Sequence, residues 1–192
     1  MDFRRRTVLY FIASAVAMLA CPTGIAGCCC PKLWTGFREH CYRFFSHELI
    51  WQAAESFCRN FTVPSLGEWG EVTGNRSGHL VSIHSQAEQD FVTALYESSR
   101  KKGDINAGHW FGLHDTATEG TFEWTDGTPV DFTHWEPGQP DNEDYTRYHP
   151  DLSENENCGV MRSLSGNEWR DGRCEQPRNT VVHYFICKTP SL

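Results

Sequence analysis

The 192-residue chain contains no internal repeat and no low-complexity tract, which excludes solenoid, array and fibrous architectures. Basic residues are in the minority, 17 Lys and Arg against 25 Asp and Glu, so there is no cationic surface of the kind that nucleic acid requires. Nine histidines are present, yet none stands at ligand spacing from a second His or Cys on one element, which argues against a zinc centre. No Ser, His and Asp grouping stands out, and the chain reads as a binding protein and not an enzyme. Beyond Gly103 no helical period is sustained.

Long apolar runs are equally scarce. The one clear case, Val8 to Ala20, follows the basic cluster Arg4-Arg5-Arg6 and is short for a membrane span. Gly24-Ile25-Ala26 then offers a small-x-small cleavage site. Residues 1–26 therefore read as a signal peptide, with a short cysteine-rich leader over 27–30 and one domain over 30–188. An uncleaved signal anchor is the rival reading. Pro22 and Gly24 sit so close to the apolar run that cleavage is favoured, leaving no membrane span. Loss of three Arg and one Asp with the leader moves the formal charge from -8 to about -10. Nine cysteines, nearly all in the mature part, fit an oxidising, extracellular compartment. The sequons Asn60-Phe61-Thr62 and Asn75-Arg76-Ser77 make Asn60 and Asn75 candidate glycosylation sites in a secreted glycoprotein.

Secondary-structure signals are compact. Lys32 to Phe45 reads as strands around Cys41. Trp51 to Cys58 has helical spacing with Trp51, Ala54, Phe57 and Cys58 on one face. Asn60 to Gly78 is polar and Gly-rich and reads as a surface loop. His79 to Ile83 reads as a strand. Ser85-Gln86-Ala87-Glu88 is a capping box that opens a second helix running to about Arg100, with Phe91, Val92 and Leu95 inward. His109–Leu113, Phe122–Trp124, Cys158–Met161 and Tyr184–Cys187 read as short strands. Two helices followed by strands with loop-heavy connections imply an α+β domain.

The most telling stretch is Trp135-Glu136-Pro137-Gly138-Gln139-Pro140-Asp141. A cis proline in Gln139-Pro140-Asp141 would turn an amide and a carboxylate oxygen towards one hard cation. Around it stand Trp110-Phe111-Gly112-Leu113, Glu123-Trp124-Thr125-Asp126-Gly127, Glu156-Asn157-Cys158, Trp169-Arg170-Asp171 before Cys174, and the late Cys187. In order and spacing these resemble the C-type lectin domain, over nearly the whole mature chain. The leader cysteines and Tyr42-Arg43-Phe44-Phe45 look like the small secreted galactose-type lectins of invertebrates such as echinoderms.

The resemblance implies a C-type lectin-like fold of two helices, short antiparallel sheets and long loops stapled by Cys30–Cys41, Cys58–Cys187 and Cys158–Cys174. Cys28 and Cys29 are then left over. A bridge between neighbours is strained, so an interchain bridge forming a disulfide-linked homodimer is the favoured alternative. The resemblance also implies a Ca²⁺ site of Gln139, Asp141, Glu156 and Asp171. In such a site the same side chains meet two vicinal sugar hydroxyls, with charge strengthening each contact. An auxiliary site would draw on Asp115, Glu119, Asn142 and Glu156; an ordinary polar turn explains Asp115 and Glu119 equally well. Gln-Pro-Asp goes with galactose or N-acetylgalactosamine in this family, and the expected partners are glycans ending in those sugars. Such sites also place an aromatic ring against the sugar, and Tyr145, Tyr148 and His149 lie in the loop that follows. Trp135 and Trp169 read as core.

One residue departs from the family pattern, which has Asn where this chain has Arg170. Arginine ligates no cation, and at about 6 Å and an effective dielectric near 20 it would repel a dication by up to roughly 5 kcal/mol. Two outcomes are open. Arg170 swings aside, with Asn142-Glu143-Asp144 able to supply a substitute oxygen, or it pairs with Glu156 or Asp141 in a site that has been given up. The second outcome belongs to the alternative function, a C-type lectin-like protein that binds a protein or another non-sugar ligand without calcium.

Overall fold

The computed structural model describes residues 30–103, 107–143, 155–163, 166–175 and 183–191. Cys28, Cys29, Asp144, Tyr145, Tyr148 and His149 lie outside them. The elements run β1 (Thr35–Phe37), β2 (His40–Phe45), α1 (Trp51–Cys58), β3 (Thr62–Leu66), β4 (Val72–Ser77), β5 (His79–Leu80), α2 (Gln86–Ser99), β6 (Gly108–His114), β7 (Glu123–Trp124), β8 (Cys158–Arg162), β9 (Trp169–Gly172) and β10 (His183–Pro190). The architecture is the expected α+β. One sheet has the order β1-β2-β10-β6-β8-β9, with β5 on β10 and β7 on β6, and its pairings are antiparallel except β6 with β10.

The central strand β6 shows no alternation of buried and exposed residues. Every residue from Gly108 to Leu113 is buried, because the strand is covered on both faces. Trp110 packs with Phe45, Trp51, Leu80, Val160 and Phe185 on one side. Phe111 and Leu113 face Ile83, Trp124, Met161 and Trp169 on the other. Gly159 on β8 allows this packing, since a Cβ there would stand 2.6 Å from the Phe111 ring. Among the described residues three disulfides staple the framework: Cys30–Cys41, Cys58–Cys187 and Cys158–Cys174, with Cα separations of 5.5, 5.4 and 5.2 Å. The second joins α1 to β10 across 129 residues and closes the longest loop.

The segment from Asn60 to Gly78 is not an irregular loop. It folds as the β3–β4 hairpin, a two-stranded sheet apart from the main one. Its outward face lacks polar alternation and β3 carries Pro64, so the strand signal is faint. Asn60 lies exposed at its base and Asn75 exposed on β4.

Helix α2 starts as its sequence indicates, with Ser85 Oγ accepting the Glu88 N–H at 3.3 Å. Glu88 does not close the reciprocal half of a capping box. Its Oε2 accepts the His84 N–H at 2.9 Å, while Oε1 accepts the Tyr42 hydroxyl at 2.5 Å and the Lys188 ammonium at 2.7 Å. Lys188 also donates to the Ser82 carbonyl at 3.1 Å. Burial alone would raise the Glu88 carboxyl. The Lys188 charge and the hydrogen bonds from Lys188, Tyr42 and His84 outweigh it and hold the group below the usual range. A depressed acid stabilises the fold fully above its unfolded-state pKa and loses that stabilisation as pH falls through the folded value. Lys188→Met should therefore cost about 3–5 kcal/mol at neutral pH, by leaving a buried carboxylate unpaired. It should also flatten the acid limb of the stability curve. Chemical denaturation across the acid range tests both effects; an unchanged acid limb would refute the role of this pair.

Candidate metal centre

The site is built where the segment 135–142 docks on the edge strand β9. Trp169 is the anchor. Its ring meets Phe111, Trp124, Phe132 and Trp135 at centroid distances of 5.0 to 5.8 Å. Its indole N–H donates to Gln89 Oε1 at 2.8 Å. The backbone joins in: Trp169 N–H donates to the His134 carbonyl at 2.8 Å, and Glu136 N–H to the Trp169 carbonyl at 2.9 Å. Trp169 thus packs in the core, as its sequence context indicates, and Trp135 is half-buried and packs against it.

Beyond this anchor the chain turns at Gly138, whose φ of 91° suits glycine, and passes through a cis Gln139–Pro140 bond. Asp171, one residue from Arg170 on β9, catches the returning backbone. Its Oδ1 accepts the Asp141 N–H at 3.2 Å and its Oδ2 the Asn142 N–H at 2.8 Å. Asn142 sits at φ 44°, and its Oδ1 accepts the Glu156 N–H at 3.1 Å. Asn142 thus latches the loop to the segment that leads into β8.

These contacts gather three carboxylates. One oxygen each of Asp141, Glu156 and Asp171 lies within 4.8 Å of the others, with Glu156 and Asp171 buried and Asp141 exposed. Two residues before Asp141, Gln139 keeps a buried Oε1 with no hydrogen-bond partner among the described residues. Burial and the charges of Asp171 and Asp141 push the Glu156 carboxyl up to about 7, and burial raises Asp171. Crowded acids with an orphaned amide oxygen are a poor arrangement for themselves and a good one for a hard cation, which takes oxygen donors of this kind. The donor set therefore fits calcium.

Arg170 points its charge elsewhere. Its Nε lies 3.3 Å from Glu136 Oε2, and it pairs with neither Glu156 nor Asp141. Alternation along β9 leaves Arg170 partly exposed beside a buried Asp171.

The auxiliary candidates are less closely gathered. Asp115 is buried; its Oδ2 accepts the Gly120 N–H at 2.8 Å and its Oδ1 has no partner among the described residues. Burial and the nearby Glu119 raise its carboxyl. Glu119 is exposed and accepts from Asn155 Nδ2 at 3.3 Å. Neither joins the carboxylate trio. Asn157 has a buried, unpartnered Oδ1, and its carbonyl accepts the Asp115 N–H at 3.2 Å. Sequence reasoning assigned Asn157 no role, although its place next to Glu156 was the available signal.

Comparison with known proteins gives a concordant picture. The sequence profile of the Lectin C-type domain matches residues 73–189. Echinoidin of Heliocidaris crassispina is 43% identical over 162 residues, 84% of this chain and 97% of that protein. The Alpha-N-acetylgalactosamine-specific lectin of Patiria pectinifera is 34% identical over 185 residues, 94% of each chain. The crystal structure of the C-type lectin CEL-I from Cucumaria echinata superposes with a TM-score of 0.65 at 31% identity, covering 83% of this chain and 96% of that one.

The acids of the trio give the first expectation for the site. An acid raised in the folded state stabilises the fold below its unfolded pKa, near 4.5, and loses that stabilisation as pH rises towards the folded value of about 7. In chelator the protein should lose up to about 3 kcal/mol between mildly acidic and mildly alkaline buffer. Millimolar calcium should abolish the loss, and Glu156→Gln should flatten it without calcium. Thermal unfolding in the two buffers measures this; a Glu156→Gln profile like that of the wild type would contradict it.

Proposed function

Because the chain belongs to the C-type lectin domain family, we propose that it is a secreted, calcium-dependent lectin for glycans that end in galactose or N-acetylgalactosamine. The observation that carries this reading is the trio Asp141, Glu156 and Asp171 with one oxygen each within 4.8 Å, next to the unpartnered amide oxygen of Gln139. Gln139, Asp141, Glu156 and Asp171 would hold the ion. A bound Ca²⁺ would supply open coordination positions for two vicinal sugar hydroxyls.

The chain's own residues do the rest. Asp171 fixes the backbone of residues 141 and 142, so the site keeps its shape before any sugar arrives. The amide of Gln139 and the carboxylates of Asp141 and Glu156 offer a donor and acceptors to adjacent hydroxyls. The order of amide before acid across Pro140 supports galactose-type selection, and the name of the Patiria pectinifera lectin supports N-acetylgalactosamine within that class. Tyr145, Tyr148 and His149, in the loop that follows, are the candidate rings for the apolar face of the sugar. Asp115, Glu119, Asn142 and Asn157 are the candidate oxygens of an auxiliary ion.

Pairing with Glu136 keeps Arg170 from cancelling the trio and favours a working site over an abandoned one. Arg170→Asn should remove a positive charge next to the trio and so tighten calcium binding and galactose retention. Asp171→Asn should weaken both by at least about tenfold, equivalent to 1.4 kcal/mol. Calorimetric titration with calcium, and retention on immobilised galactose with and without chelator, test these outcomes. Retention that ignores chelator, with no calcium heat in the wild type, would replace this reading with that of a calcium-independent binder.

Secretion follows from the basic and apolar leader over residues 1–26, with the domain over 30–188. Among the described residues no helix is long and apolar enough to cross a membrane. Cys28 and Cys29, left over when six cysteines pair within the domain, would join two chains. Bivalency then offsets weak binding at a single site. The secreted protein should run at twice its reduced mass on a non-reducing gel, and Cys28→Ser with Cys29→Ser should run as a monomer. A wild-type band at monomer mass would count against the dimer.

A further inference from the structure

Three of the large exposed hydrophobic residues fall on one element. Leu66, Trp69 and Val72 of the β3–β4 hairpin are 62, 87 and 64% exposed. The hairpin is a separate two-stranded sheet, so among the described residues its outer edges also lack a neighbouring strand. Together these features make a liability in a protein that must stay dispersed, because bare strand edges beside apolar side chains invite association.

The register shows what else lies on that face. Pro64 stands opposite Asn75, and Leu66 opposite Val72, across the one bulge of the hairpin. Directly opposed residues share a face, and so do alternate residues of β3. Pro64, Leu66, Val72 and Asn75 therefore share the outward face, while Val63, 3% exposed, points inward. Asn75 opens the sequon Asn75-Arg76-Ser77. Its side chain is exposed, and no hydrogen bond engages it among the described residues. Leu66, two positions along from Pro64, lies diagonal to Asn75 at about 7 Å, and Val72 lies three residues from Asn75 on β4, beyond the bulge. A depression lined by Pro64, Ser65, Leu66 and Arg76 runs beside it. Asn60, the other sequon, donates its Nδ2 to the Ser56 carbonyl at 3.2 Å in the turn after α1 and lies off this face.

We infer that Asn75 carries an N-linked oligosaccharide whose inner sugar rings lie over Pro64, Leu66 and Val72 and cover the outer face of the hairpin. A pyranose ring has one face of C–H groups and a rim of hydroxyls, so it can rest on apolar side chains while its rim stays in water. In the attachment step a bond forms between Asn75 Nδ2 and C1 of an oligosaccharide carried on a lipid pyrophosphate. The C1–O bond of that donor breaks, the electron pair leaves with the pyrophosphate, and one amide proton is lost to a base. The inference rests on the secretion reading above, since that donor belongs to the secretory route.

Expression in insect cells with the native leader tests it. Protein from the medium and from the cells is digested and mapped with and without peptide N-glycosidase, which converts a glycan-bearing Asn to Asp. The peptide holding Asn75 should carry the glycan, and after the enzyme it should show that conversion at the sequon. Asn75→Gln and Ser77→Ala should each lose the glycan mass, bind more of a hydrophobic dye and shift to larger species on gel filtration. Adding Leu66→Ser, Trp69→Ser and Val72→Thr to Asn75→Gln should reverse the shift. Unmodified Asn75 in protein from the medium overturns the inference alone. A glycan at Asn75 on protein that never leaves the cell overturns secretion alone, and unmodified Asn75 in retained protein overturns both. Sequon variants with the dye binding and elution of the wild type overturn the covering role.

Discussion

Two backbone N–H groups on one carboxylate hold this molecule's site together. The Asp141 and Asn142 amides donate to Asp171, and through them the segment 135–142 is fixed to the edge of the sheet. The interaction has a cost. It draws Asp141 and Glu156 close to Asp171 and leaves three acids, two of them buried, in one place. The raised carboxyls of Glu156 and Asp171 measure that crowding. A loop pinned by an anion thus creates an unfavourable concentration of anions, and relief comes from outside the chain, as a cation or as protons.

The strain is tolerable because the floor beneath it is unyielding. Trp169 sits among four aromatic rings and gives its N–H to Gln89, and Gly159 lets the Phe111 ring approach a neighbouring strand as no other residue would. Interiors packed to this density resist small displacements, so the acids cannot drift apart to reduce their repulsion. Substitutions in this floor would be felt at the site, although no floor residue needs to touch a ligand.

Much of this was legible in the sequence, and the reasons differ from element to element. Gln139-Pro140-Asp141 and the Ser85 cap are local signals, complete within a few residues, whereas the cysteine pairing was legible only through the family resemblance. The role of Glu88 was only half legible, because its partners Tyr42 and Lys188 lie 46 and 100 residues away. The β3–β4 hairpin was missed because Pro64 and the polar run of β4 resemble a loop. Recognition of Trp169–Gly172 as a strand would have resolved Arg170, since alternation sends its side chain away from that of Asp171. Read as a motif alone, the same four residues left its direction open. Asn157 was read only as part of the Glu156-Asn157-Cys158 motif and given no role, because nothing but its unpartnered oxygen sets it apart.

The order of strands in the main sheet also has a mechanical consequence. Cys30 precedes β1 at one edge, Ser191 ties back to Glu39 next to it, and Asp171 lies on β9 at the opposite edge. Five strand spacings of about 4.8 Å separate the two edges, a lever of about 24 Å. A tether ahead of Cys30 would thus pull on the handle of the molecule and leave its grip free. Two copies joined at their handles could reach outward in opposite directions and hold two separate surfaces at once.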